Sequence, residues 1–204
     1  MGMDRAERKR RTILGAAREV FLEHGYVGAS MDQVAALAAV SKQTVYQHFT
    51  DKRGLFAAVI TADVRAAEQR SDELLDALAG TADPEADLRA VARGLVTVVT
   101  QPHLVRMRRV VIGEAERFPD LAALWYATGP ERGYHRLAER FARLADRGLL
   151  RVPDPLAAAR HFTWLVLSVP LNQAMFDPAA RPTEEELLRV ADDGVRVFLA
   201  AYAA

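Results

Sequence analysis

Lys42, Gln43, Thr44, Tyr46, Gln47 and His48 give the chain a seven-residue run in which only Val45 lacks a hydrogen-bonding side chain. Each type has a distinct use. A glutamine amide offers a donor and an acceptor in one plane and can bridge the edge of an adenine, while a threonine presents both a hydroxyl and a methyl group. Lysine, tyrosine, histidine and serine are suited to phosphate oxygens. Val45 and Phe49 stand four apart, so on a helix they share a face and leave the other six residues outward.

The elements that position this run are written around it in the sequence SMDQVAALAAVSKQTVYQHFTDKRGLF, from Ser30 to Phe56. Ser30 with Gln33 is a capping box, which opens a short helix bearing Val34, Ala35 and Ala38 on its apolar face. Ser41 is an N-cap for a second short helix over 42–49, and Thr50 or Asp51 caps a longer one beginning near Lys52. Helices this short are unstable alone, so packing on neighbours must hold them. Short helix, tight turn, short helix is a helix-turn-helix.

These residues resemble the DNA-binding domain of the TetR family of bacterial transcriptional regulators. The likeness is carried by Val34-Ala35, Val40-Ser41-Lys42, Thr44-Val45-Tyr46, His48-Phe49 and Lys52 with Leu55-Phe56, and it covers about residues 5–60. It implies that Tyr46, His48 and Lys52 occupy backbone-contact positions. It also implies a body whose last two helices form a four-helix dimer interface and whose middle helices hold a ligand. One departure is visible: the family usually has glycine in the turn where Ala39 stands. In a left-handed conformation alanine costs about 1 kcal/mol relative to glycine.

The whole chain has 204 residues, half of them hydrophobic, with 27 basic and 27 acidic residues. The charge is unevenly placed. Residues 1–56 hold nine Lys or Arg against six Asp or Glu, and all three lysines (Lys9, Lys42, Lys52) lie there. A basic head on a neutral or acidic body suits nucleic-acid binding, although an arginine- and alanine-rich chain also reflects a GC-rich genome. With no cysteine there is no disulfide framework or thiolate metal site. No apolar run approaches the roughly 20 residues of a membrane span, and the charged amphipathic N-terminus is no secretory signal, so a cytoplasmic location is expected.

The remainder reads as helix throughout, so the fold class is all-α with about nine helices. The first helix spans about 4–24 with a stripe of Ile13, Leu14, Ala17, Val20 and Phe21, and Gly25 ends it. A long helix over 52–78 follows, then a break at 80–84 where Asp83-Pro84 signals a helix start. Further helices are expected over 85–100, 103–117, 119–146 (kinked or split at Gly129-Pro130), 155–176 and 184–203. Thr183 and Glu186 cap the last. The expected domains are 1–52, a helix-turn-helix DNA-binding domain, and 53–204, a ligand-binding and dimerisation domain.

Two zones of the body matter for function. The segments 155–176 and 184–203 are apolar on more than one side, as a helix shared between subunits or central to its own domain would be. Among the middle helices, His103, Met107, Val111, Phe118, Trp125, Tyr126, Phe141 and Trp164 are the candidates to line a ligand cavity. Such stripes also build ordinary cores. Arg106, Arg108 and Arg109 fit a solvated face paired with Glu114 or Glu116 better than an anion site.

The reading that unites these features is a homodimeric transcriptional repressor of a palindromic operator, released by a hydrophobic small molecule. Its DNA-binding residues are Ser30, Lys42, Gln43, Thr44, Tyr46, Gln47, His48 and Lys52. An activator or an architectural DNA-binding protein without ligand control would share the same head. No catalytic residue, cofactor or metal is expected: the five histidines are scattered, and there is no phosphate loop or nucleophile motif.

Overall fold

The structure, a computed structural model, describes residues 5–204. Asp4, the expected start of the first helix, lies outside them. Among the described residues ten α-helices run in order: α1 (Arg5–Gly28), α2 (Met31–Leu37), α3 (Lys42–His48), α4 (Lys52–Ala79), α5 (Pro84–Val99), α6 (Pro102–Gly113), α7 (Pro119–Tyr126), α8 (Arg132–Asp146), α9 (Pro155–Phe176) and α10 (Glu184–Tyr202). A π-helical turn, Ala127–Glu131, separates α7 from α8. Among the described residues the one β contact is an isolated antiparallel bridge between Leu150 and Ala203.

Helix ends follow the local chemistry. Gly25, at φ 69° and ψ 176°, interrupts α1, and only a last turn continues to Gly28. Asp83 accepts the Ala86 N–H at 3.1 Å ahead of Pro84, and Thr183 with Glu186 closes a full capping box on α10. Gly129-Pro130 splits the expected 119–146 helix into α7 and α8, which brings the count to ten. The expected 103–117 helix stops at Gly113. Residues 114–117 are turns, and Phe118 precedes Pro119, a position at which the helical conformation is sterically disfavoured.

Two compact units result, and a single cut in the chain does not divide them. The first contains the chain up to Val64 together with Arg106–Tyr126; the second contains Arg65–Val105 and Ala127–Ala204. In the first, Phe21, Tyr26, Phe56 and Phe118 form a chain of ring contacts with centroids 4.7, 5.0 and 4.6 Å apart. Val45, Phe49, Met107, Val111 and Leu121 belong to the same core. Arg18 Nε donates to the buried Asp63 Oδ1 at 2.7 Å.

The second unit has its own aromatic centre, in which Phe141, Phe162 and Phe198 meet at 5.1–5.6 Å. Gly194 lets α10 approach α9 closely: a Cβ there would stand 3.0 Å from the Leu165 carbonyl carbon and oxygen. The distal half of α4 meets α8 through a ladder of charges. Arg132 Nε lies 2.9 Å from Glu68, Arg136 pairs with Asp72, and Arg140 Nη2 lies 2.8 Å from Asp76. Acids and arginines each recur every four residues, so one face of each helix supplies every rung.

Candidate nucleic-acid interface

Ser30 opens α2 as its residue type demands. The Gln33 N–H donates to Ser30 Oγ at 3.2 Å, and the Ser30 N–H donates to Gln33 Oε1 at 2.8 Å. The helix ends in a paired C-terminal turn. The Ala39 N–H donates to Ala36 O at 3.1 Å, and the Val40 N–H to Ala35 O at 3.0 Å. That pattern is a Schellman motif, and it places Ala39 at φ 52°, a left-handed position that favours glycine. The departure seen in the sequence is therefore a point of backbone strain.

Ser41 then caps α3, accepting the Thr44 N–H at 3.1 Å, and the two hydroxyls lie 2.8 Å apart. Val45 is fully buried and Phe49 nearly so, while Lys42, Gln43, Tyr46 and Gln47 are exposed and Thr44 and His48 are half-buried. Four of the six polar residues of this run are thus free of packing duties, while Thr44 and His48 are partly covered. The guanidinium of Arg10 stands over the Phe49 ring at 5.3 Å. Asp51, rather than Thr50, caps α4, accepting the Gly54 N–H at 2.7 Å.

Two basic residues of this region are already engaged. Lys42 Nζ lies 2.7 Å from Asp32 Oδ1 and 3.0 Å from Oδ2. The hydrogen bond to Asp32, reinforced by its charge, raises the Lys42 pKa. Lys52 Nζ donates to the carbonyls of Val27 at 3.1 Å and Ala29 at 2.9 Å, and stands 5.0 Å from the Tyr26 ring centroid. It therefore pins the segment that leads into Ser30. Its partner Tyr26 is buried, and that burial raises the phenol pKa. Next along α4, Arg53 Nε donates to Asp120 Oδ2 at 3.0 Å on α7.

The candidate ligand residues divide between the two units. Met107 and Val111 are buried in the core of the first unit, with Phe118 and Trp125 packed against it. Phe141 is buried at the centre of the second. His103 is half-buried, whereas Tyr126 and Trp164 are exposed. Arg106 Nη2 donates to the Leu22 carbonyl at 3.0 Å, so its partner comes from α1. Asp32, the partner of Lys42, is a residue of the candidate interface that the motif does not mark. Its signal was an acid in the first turn of α2, ten residues before a lysine opening α3.

Comparison with known proteins decides the family. Residues 13–59 match the description "Bacterial regulatory proteins, tetR family". Residues 86–204 match "AefR-like transcriptional repressor, C-terminal domain". The chain belongs to the TetR family.

Its TetR-family likeness extends over the whole fold. A crystal structure of a TetR-family regulator from Mesorhizobium loti MAFF303099 superposes with a TM-score of 0.94 at 38% identity, covering 99% of this chain and 100% of that one. The flavonoid-responsive regulator FrrA gives 0.77 at 32% identity, covering 97% and 98%. In sequence, the transcriptional repressor AcnR of Corynebacterium glutamicum is 36% identical over 165 residues, 80% of each protein. The chain spans 37% of the length of other curated helix-turn-helix transcriptional regulators it matches. It is a transcriptional regulator of this family, and among its described residues no helix is long and apolar enough to cross a membrane.

Proposed function

We propose that the protein is a homodimeric repressor, acting in the cytoplasm, that reads a palindromic operator in double-stranded DNA and releases it when a hydrophobic small molecule binds. The observation that carries this reading is the face of α3: Lys42, Gln43, Tyr46 and Gln47 are exposed on a helix anchored by the fully buried Val45. Gln43, Thr44 and Gln47 meet base edges in the major groove. Ser30, Tyr46, His48 and Lys52 fix the register on the backbone, and Lys42 enters at the leading edge of the helix. DNA reading belongs to residues 1–52, and ligand binding and dimerisation to 53–204.

A dimer is supported by exposed apolar residues on the last two helices. Leu165, Val169 and Phe176 recur at helical spacing along α9, Trp164 lies beside them, and Val197 stands on α10. An isologous pair buries such a patch and presents two reading helices to two half-sites. Repression and effector release are supported by relatives, AcnR being named a repressor and FrrA flavonoid-responsive. The ligand acts by favouring a state whose two α3 helices no longer match the half-site spacing. A swing from nearly all competent to nearly all incompetent takes about 5.5 kcal/mol of differential binding.

The experiment is selection of binding sites from a random duplex pool with the wild type and with Gln43→Ala. The wild type enriches an inverted repeat, and Gln43→Ala relaxes the preference at one base in each half-site, by about 1–3 kcal/mol. An unchanged preference would remove α3 from the reading role. Titrating flavonoids and other apolar aromatics against operator affinity separates a ligand-released repressor from a regulator without ligand control.

A further inference from the structure

Lys42 reaches the reading face with its charge already answered. Both oxygens of Asp32 address its ammonium, at 2.7 and 3.0 Å, although the two side chains are 58% and 65% exposed. The placement has an electrostatic logic. Asp32 lies in the first turn of α2, where negative charge suits the helix dipole, and Lys42 is the first residue of α3, where positive charge opposes it. An anion nearby offsets that opposition. The carboxylate of Asp32 supplies one, and a DNA phosphate is chemically the same kind of partner. One ammonium thus faces two competing acceptors, one of them covalently tethered beside it.

We propose that Asp32 is an intramolecular competitor for phosphate, which withholds Lys42 so that each subunit neutralises one phosphate fewer than its basic residues allow. The proposal rests on the reading of α3 as the groove element. Sequence-independent affinity comes almost wholly from phosphate neutralisation. A tethered carboxylate therefore lowers affinity for every duplex while leaving the base contacts of Gln43 and Gln47 in place. A regulator braked in this way spends less time on non-specific DNA. The opposite assignment, in which Asp32 and Lys42 simply brace α2 against α3, predicts the opposite sign for loss of the carboxylate, because a loosened helix pair binds DNA less well.

The test is the salt dependence of binding to a mixed-sequence DNA duplex, measured for the wild type, Asp32→Asn and the double variant Asp32→Asn/Lys42→Met. Asp32→Asn is expected to bind about fivefold more tightly near 0.1 M salt and to steepen the slope of log affinity against log salt by about 0.9 per subunit, the release expected from one added phosphate contact. The double variant returns to the wild-type slope. A gain that survives in the double variant would show that Asp32 acts through general charge rather than through Lys42, and would overturn the proposal. Weaker binding by Asp32→Asn would overturn it in favour of the brace. If the wild type shows a steep slope that Asp32→Asn leaves unchanged, the competitor is disproved and the groove reading stands. If the wild type shows no salt-dependent binding to any duplex, the groove reading itself fails, and the competitor with it.

Discussion

Arg93 and Asp192 are joined by two parallel hydrogen bonds, Nε to Oδ1 at 2.8 Å and Nη2 to Oδ2 at 2.6 Å, which clamp α5 to α10. The hydrogen bond from Arg93, with its charge, holds the Asp192 carboxyl below the ordinary carboxylate range, and the same bond raises the Arg93 pKa. The folded chain therefore binds fewer protons at this site than the unfolded one. The stabilisation is fully present above the unfolded carboxyl pKa, about 3.9, and is lost as pH falls through the lower folded value. Asp192→Asn should cost about 1 kcal/mol or less at neutral pH, since the pair is partly exposed. Urea unfolding of both proteins across the acid range should show that difference shrinking toward zero. A difference that persisted in acid would assign the loss to packing instead.

Ala39 supplies a prediction of the opposite sign. At φ 52° it stands where a Cβ crowds the backbone, so Ala39→Gly should stabilise the protein by roughly 0.5–1 kcal/mol, less what glycine adds to the entropy of the unfolded chain. Thermal unfolding should show a midpoint raised by about 1–4 °C. No rise would mean that neighbouring residues have relaxed the turn.

Gly194 is constrained by its neighbours rather than by its own backbone. A methyl group there would meet the Leu165 carbonyl at 3.0 Å and Val166 Cγ2 at 3.2 Å, and the carbonyl belongs to a helix that cannot yield alone. Gly194→Ala should therefore destabilise by about 1–3 kcal/mol, the range for an overpacked core. Denaturant titration measures it. An unchanged midpoint would show that α9 and α10 can separate at little cost.

Lys52 has two roles that a single substitution can separate. Its ammonium serves the Val27 and Ala29 carbonyls, and the proposed function also gives it a phosphate. Lys52→Ala should lower stability by about 1–2 kcal/mol through the lost charge-assisted hydrogen bonds. It should also weaken binding to all DNA sequences. A phosphate contact shows as a salt slope shallower by about 1, whereas a purely structural pin leaves the slope unchanged. Unfolding and binding isotherms on the same variant decide between them.

What the sequence revealed was local. Ser30, Ser41, Asp83 and Thr183 cap helices through atoms within three residues of themselves, so their hydrogen bonds can be read from spacing alone. Ala39 was legible for the same reason, being a residue out of keeping with its turn. The partners of Arg53 and Arg106 were not: they lie 67 and 84 positions away in the chain, and no periodicity encodes such distances. The division of the candidate ligand residues between two units has the same origin. Helical spacing shows that Met107, Val111 and Phe141 face inward, but not which interior they share, and Met107 and Phe141 lie in different cores. Asp32 was missed because one acid in a first turn looks like an ordinary dipole partner until Lys42 is placed beside it.

The ladder between α4 and α8 makes the distal half of α4 behave as a toothed rack. Glu68, Asp72 and Asp76 meet Arg132, Arg136 and Arg140 at equal intervals, so a second full register lies one tooth away, about 6 Å at the rise of an α-helix, and Arg136, 4.0 Å from Glu68 as well, already spans two rungs. Smaller displacements stretch three ion pairs at once, while a full step leaves one acid and one arginine without a rung. Along its axis the ladder favours discrete seats over a continuous range of positions, with a preference that weakens as salt screens the partly exposed pairs.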